Sequence, residues 1–261
     1  LLYVVKPIFE SASVTAKAEF TLPVAGKTAL LGIDDQNQIG YRFSREGHVD
    51  FFSLDSRSGT AVGESIKHLR IDGQVTSVTT TSLGKRQVVY GLADGTARVV
   101  LPEFLVTYPN DKRLTEAVLN YPLGEAPIVL DEQGRAIVSL AYEATSDLAV
   151  FAAATADGET LLTARVGEEN MLSGEVEWTT ERYALPKRPV LVDQVLLTPD
   201  LRYLLARSGN LLSIFDIRDL HNIRLSSAIQ INAKGGNVTQ LALLSGASSL
   251  LVANDNGVNS Q

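Results

Sequence analysis

A turn glycine recurs along this chain at a near-constant interval, and that interval limits the available folds more than any other feature. Five segments read as β-hairpins, each an apolar run, a polar turn ending in glycine and a second alternating run. Residues 39–43 turn at Arg45-Glu46-Gly47 into 49–54, and 88–92 turn at Asp94-Gly95 into 97–101. Residues 148–152 turn at Asp157-Gly158 into 160–162, and 203–206 turn at Ser208-Gly209 into 211–215. Residues 250–253 reach Asn256-Gly257, after which four residues remain, so the reading expects no third strand there. Tight hairpins need positive φ, which glycine adopts without a Cβ penalty. The turn glycines lie 48, 63, 51 and 48 residues apart. The reading assigns the one long interval to an insertion in the polar stretch 167–174.

Each hairpin follows another apolar strand candidate, at 28–33, 75–78, 136–140, 192–197 and 238–243. A more polar outer strand is expected after the complete hairpins, for example at 61–66 and 226–231. Four antiparallel strands per unit at this period predict an all-β chain of β-propeller blades, WD40 repeats running to about 40–45 residues. The expected division is an N-terminal segment 1–22, then blades near 23–72, 73–125, 126–187, 188–236 and 237–261. These make an incomplete ring, four blades plus part of a fifth, of a larger propeller that continues in the parent protein. Val14 to Leu22 alternates and is expected to close the ring, because an open edge leaves backbone groups unpaired. A β-sandwich is the alternative, but it leaves the glycine spacing unexplained. The best helix candidate, 111–119, is short. Phe215-Asp216 stands where WD40 repeats carry Trp-Asp, and 51–55 is similar. Gly47-His48 lies at a hairpin turn, so the WD40-like pattern is divergent.

Composition narrows the function classes. With 261 residues, 45% of them hydrophobic, the chain can bury a sizeable core. The absence of cysteine excludes disulfides and thiolate-held metals. A net charge of −7 argues against duplex nucleic acid and against anionic headgroups. No run approaches the roughly 20 apolar residues of a membrane helix. The chain does not begin with Met, which reads as a fragment boundary, and 1–5 reads as a buried strand or as the stub of a membrane helix.

The search for chemistry assigns no catalytic, cofactor or metal residue and leaves the binding residues open. His48, His68 and His221 fall in a turn, an outer-strand end and a loop, without metal-ligand spacing. Asp34-Asp35 are adjacent and read as a turn, not as a proton-sharing pair. Asn254-Asp255-Asn256-Gly257 lacks the ligand alternation and closing Glu of a calcium loop. Lys85-Arg86 and Lys187-Arg188 read as solvated turns, Trp178 as blade packing and Met171 as uninformative. No nucleophile elbow, phosphate loop or dinucleotide fingerprint is present.

One resemblance adds a function. Pro7-Ile8-Phe9, Phe20-Thr21-Leu22-Pro23-Val24-Ala25-Gly26, Gly32-Ile33-Asp34-Asp35, Gly40-Tyr41-Arg42-Phe43 and 47–54 carry it, with 251–258 as a later blade of the same kind. These residues resemble the long-form, PstC-type phosphate ABC-transporter permeases of gammaproteobacteria, which carry a propeller-like domain after the first membrane helix. The resemblance implies a non-catalytic domain on the periplasmic side of the inner membrane, in a membrane-embedded parent. It also implies protein-interaction or regulatory work in phosphate uptake, with the periplasmic phosphate-binding protein and other transporter subunits as partners, and no cofactor. Two alternatives stay open: an envelope assembly scaffold, and a propeller enzyme whose carboxylates, Asp34 and Asp193 among them, converge on one channel mouth.

Overall fold

The structure is a computed structural model that describes residues 19–22, 24, 26–55, 61–81, 85–111, 113–169, 176–186, 190–231, 236–244 and 249–260. It is all-β, with five antiparallel sheets in chain order, none closed into a barrel. The first sheet holds β1 (Thr28–Ile33), β2 (Ile39–Ser44), β3 (His48–Ser53) and β4 (Ser65–Arg70). The second holds β5 (Val75–Thr80), β6 (Val88–Leu92), β7 (Thr96–Thr107) and β8 (Leu114–Asn120), with β9 (Ile128–Val129) returning to pair with β7. The third holds β10 (Ile137–Ala144), β11 (Leu148–Thr155), β12 (Thr160–Glu169) and β13 (Val176–Tyr183). The fourth holds β14 (Gln194–Leu197), β15 (Tyr203–Ser208), β16 (Leu211–Asp216) and β17 (Arg224–Gln230). The fifth holds β18 (Val238–Leu243), β19 (Leu250–Asn254) and β20 (Gly257–Ser260). Apart from β9, strands pair with their sequence neighbours, as meanders do.

The sheets stack face against face, and the side-chain period of two explains how. Successive residues of a second strand point to opposite sheets. Tyr90 packs with the first sheet's Phe43 and Phe51, while its neighbour Val89 packs with the third sheet's Tyr142 and Phe151. Ala152 faces the fourth sheet and Ala153 the second. Leu204 faces the third sheet and Leu205 the fifth. Four cores therefore lie between five sheets, and β2 and β6 are buried along their whole length. β6 accordingly reads as a continuous apolar run, whereas β2 buries Arg42 within its run.

The recurring glycines do a second job besides turning the chain. Ile71, Leu130, Val192 and Ile231, each in the linker after a sheet, are buried beside the preceding hairpin turn. Their N–H groups donate to the carbonyls of Gly47, Gly95, Gly158 and Asn210 at 2.8–3.0 Å. Gly95 has φ +79°, and a Cβ there would stand 2.9 Å from the Asp131 carbonyl oxygen. Glycine thus serves both the turn and the close approach of the linker.

Several expectations need correction. The helix expected at 111–119 does not form: Pro109–Asp111 make a single 3-10 turn, and Leu114–Asn120 are β8, paired along the outer half of β7. The helical spacing there is overridden by strand pairing and by burial of Ala117. The long glycine interval comes from β7, β8 and β9, upstream of 167–174, whose residues 167–169 belong to β12. The four residues after Asn256 do form a third strand, β20, paired with β19. The outer strand of the first sheet begins at Ser65, not at Ala61. Residues 1–18, Lys187-Arg188 and Met171 lie outside the described residues, and with them the helix stub and most of the proposed closing segment. Glu19 to Leu22 carry no strand, and the Phe20 ring meets Phe52 edge-on at 5.8 Å. Among the described residues no helix is long and apolar enough to cross a membrane.

Candidate functional site

The innermost strands of all five sheets border one cavity of about 660 Å³. Ala29 of β1, Ser77 to Thr80 of β5, Val138 to Leu140 of β10, Gln194 to Leu196 of β14 and Thr239 to Leu243 of β18 form its wall. Neighbouring inner strands touch in sequence order, from β1 through β5, β10 and β14 to β18. Hydroxyl and amide side chains recur on this wall, including Thr79, Thr80, Thr239 and Gln240, so a polar solute or polypeptide loop would find donors and acceptors there.

A buried polar staple closes the cavity between the fourth and fifth sheets. Arg207, 7% exposed, donates through Nη1 to the carbonyl oxygens of Val238 (2.9 Å) and Gly209 (3.1 Å), and through Nε to Gln194 Oε1 (3.2 Å). Asp193 Oδ1 lies 3.1 Å from Nη2 and offsets part of the charge. Burial lowers the Arg207 pKa and Asp193 opposes that shift. Gln194 completes the tie: its Nε2 donates to the Leu241 carbonyl at 2.7 Å, and its Oε1 accepts the Leu241 N–H at 2.8 Å.

The residues singled out by sequence distribute as follows. Asp34 is buried and accepts N–H groups from Gln36, Gln38 and Ile39, the turn role expected. Asp35 pairs instead with Arg86 of the second sheet at 2.7 Å. Asp193 is among the residues bordering the cavity and Asp34 is not. Lys85 and Arg86 are not merely solvated. Lys85 Nζ donates to Glu143 Oε2 at 3.3 Å and to the Ala144 carbonyl, joining the second sheet to the third. Asn254 and Asp255 make turn contacts, Asp255 Oδ1 accepting the Asn237 N–H at 2.9 Å. Trp178 packs on the core between the second and third sheets, over the space left by Gly167.

Sequence spacing missed one constellation. Asp50 of β3 accepts from Arg42 Nη1 at 3.0 Å, and its Oδ1 lies 2.6 Å from His68 Nδ1. The His48 ring stacks on His68, with centroids 5.4 Å apart and planes at 26°. The β3–β4 register places Asp50 opposite His68, and a bulge beyond Phe51 interrupts that ladder, so no linear motif signals the pairing. Arg42 is held further by Thr28 Oγ1 and the Gly26 carbonyl, which makes the cluster a brace for the first sheet. His221 instead meets Tyr183 edge-on at 5.3 Å. Among the described residues no group of three or more acidic or histidine side chains is placed to hold a metal ion.

No protein-family model matches this chain, and no curated protein does either.

Proposed function

We propose that the five sheets are blades of a β-propeller, an incomplete ring of a larger one, and that the domain is a non-catalytic interaction module. The observation that carries this is the cavity bordered by all five inner strands, with one core between each successive pair of sheets. The proposed setting is the periplasmic side of a phosphate ABC-transporter permease, where the domain docks the phosphate-binding protein or regulates uptake. Its support is the resemblance, and the matched residues interlock physically. The ring of Tyr41 occupies the space a Gly32 side chain would need, and the ring of Phe52 does the same at Gly40. Both members of each pair lie in the matched segments, so the likeness concerns how a blade is packed.

The full reading frame of the parent protein tests the setting. The proposal expects several segments of roughly 20 apolar residues beyond Gln261. A stop codon shortly after that position would overturn the transporter reading while leaving the blade architecture standing.

A further inference from the structure

The cavity bordered by the inner strands carries an uneven charge. Arg45, Asp193 and Arg207 are the charged side chains on its lining. Arg207 Nη2 and Asp193 Oδ1 pair at 3.1 Å, and Asp193 Oδ2 also accepts the Gly209 N–H at 3.2 Å. Arg45 has no such partner. It sits exposed in the turn between β2 and β3, and among the described residues its guanidinium meets no carboxylate and makes no hydrogen bond. Its main-chain N–H donates to the Lys27 carbonyl at 2.7 Å, which holds the turn beside the start of β1. Glu46, next along the chain, does not border the cavity, and its carboxylate accepts the Lys27 N–H at 3.1 Å. One positive charge on the lining is therefore left without a counter-charge.

The neutral part of the same lining holds unused hydrogen-bonding capacity. The Ser139 hydroxyl accepts the Val195 N–H, and Gln194 is taken up by Leu241. Thr79, Thr80, Thr239 and Gln240 also border the cavity, and their side chains make no hydrogen bond among the described residues. Thr76 Oγ1 reaches the Ile137 carbonyl at 2.7 Å, and Ser139 and Gln194 reach Val195 and Leu241, so the inner strands begin side by side. Thr239 and Gln240, near the start of β18, therefore stand at the same end as Arg45. A guanidinium takes a carboxylate through two parallel hydrogen bonds, and hydroxyl and amide side chains both donate and accept. A bare inorganic oxyanion would engage Arg45 and leave the neutral groups idle. The volume of about 660 Å³ lies in the range of small-molecule sites, about 300–1,000 Å³.

We propose that this cavity binds a small sugar acid, a single carboxylate on a hydroxylated ring. Arg45 holds the carboxylate, and Thr239 and Gln240 take ring hydroxyls beside it. Salt weakens the Arg45 contact, because that side chain is exposed. The site goes beyond the docking role proposed above and rests on the shared cavity, not on the transporter setting.

Titration calorimetry of the purified chain with D-glucuronate, D-glucose and acetate tests this. Glucuronate is expected to bind one to one. Glucose, the ring without the carboxylate, and acetate, the carboxylate without the ring, bind weaker by about tenfold or more. Arg45→Ala lowers glucuronate affinity by about tenfold or more, the scale of a lost hydrogen bond to a charged group. Thr239→Val/Gln240→Leu lowers it by about fivefold or more. Both variants change exposed positions, and unchanged circular dichroism and melting confirm folding. A folded wild-type chain that binds no glucuronate at millimolar concentration overturns the proposal and leaves the blade architecture standing. Glucose or acetate binding as tightly as glucuronate also overturns it, as does either variant binding like wild type.

Discussion

The junction between the first and second sheets and the one between the fourth and fifth perform the same architectural task with different chemistry. The first is aromatic and dry. Phe43, Phe51 and Tyr90 are completely buried there, and the Tyr90 hydroxyl donates to the Ser44 carbonyl across the gap at 2.9 Å. Burial raises the Tyr90 pKa far above its ordinary value, so it stays a donor at every working pH. The last junction has a smaller buried cluster and leaves an apolar space of about 430 Å³ between Ile214 and Ile229 on one side and Leu250 and Val252 on the other. Its cohesion comes instead from Arg207 and Gln194, which reach backbone carbonyls of the next sheet. A repeat scaffold can thus join equivalent units by apolar burial or by directed hydrogen bonds. The two fail differently: a cavity weakens the first, and an orphaned polar group weakens the second.

The largest expected effect is at the aromatic junction. Phe51→Ala empties a fully buried site, and denaturant melts should show a loss of about 3–5 kcal/mol. At the polar junction, Arg207→Met strips donors from the Val238 and Gly209 carbonyls and removes the cation beside Asp193, which keeps the Gly209 N–H. A loss of about 3 kcal/mol is expected, read by hydrogen exchange as earlier opening of β18 and β19 than of β1 and β2. Equal protection of both ends after that change would erase the contrast. Next come the turn glycines. Gly95→Ala should cost about 2 kcal/mol, because strain at φ +79° adds to a 2.9 Å approach to Asp131. Gly209→Ala should cost about 1 kcal/mol, since its φ is +55° and nothing stands within 4 Å of the added carbon. Similar melting shifts would show that linker packing under the turn contributes little.

The smallest effect is acid dependence. The Thr155 hydroxyl first, and Arg135 second, hold Asp157 down to about 2. A group whose folded pKa is depressed contributes its stability above its unfolded pKa, near 3.9, and loses it as pH falls toward 2. Stability should therefore decline more steeply over that window in the wild-type chain than in Asp157→Asn. Parallel slopes would contradict the assignment.

Much of this architecture can be read in the linear chain because its cause is local. Glycine at the turns, apolar second strands at 39–44 and 88–92, and the inner strand at 28–33 each follow from φ freedom or side-chain alternation. What stays hidden depends on distant partners. Residues 111–119 carry helical spacing, yet β7 captures 114–120 as a strand. Asp50 and His68 meet only through register, and Arg86 finds Asp35 only after two sheets stack. Lys85 and Arg86, which read as a solvated turn, tie sheets together for the same reason.

The central claim is that the five sheets curl around a shared cavity. Stacked sheets lie about 10 Å apart, so a flat pile of five would put the first and fifth about 40 Å from each other. The chain has no cysteine, so spin labels attach only at two introduced positions, Ala29→Cys and Gln240→Cys, both on the cavity wall. Pulsed electron–electron resonance should give a single narrow distance distribution, well below that separation. A distribution centred near it would contradict the account.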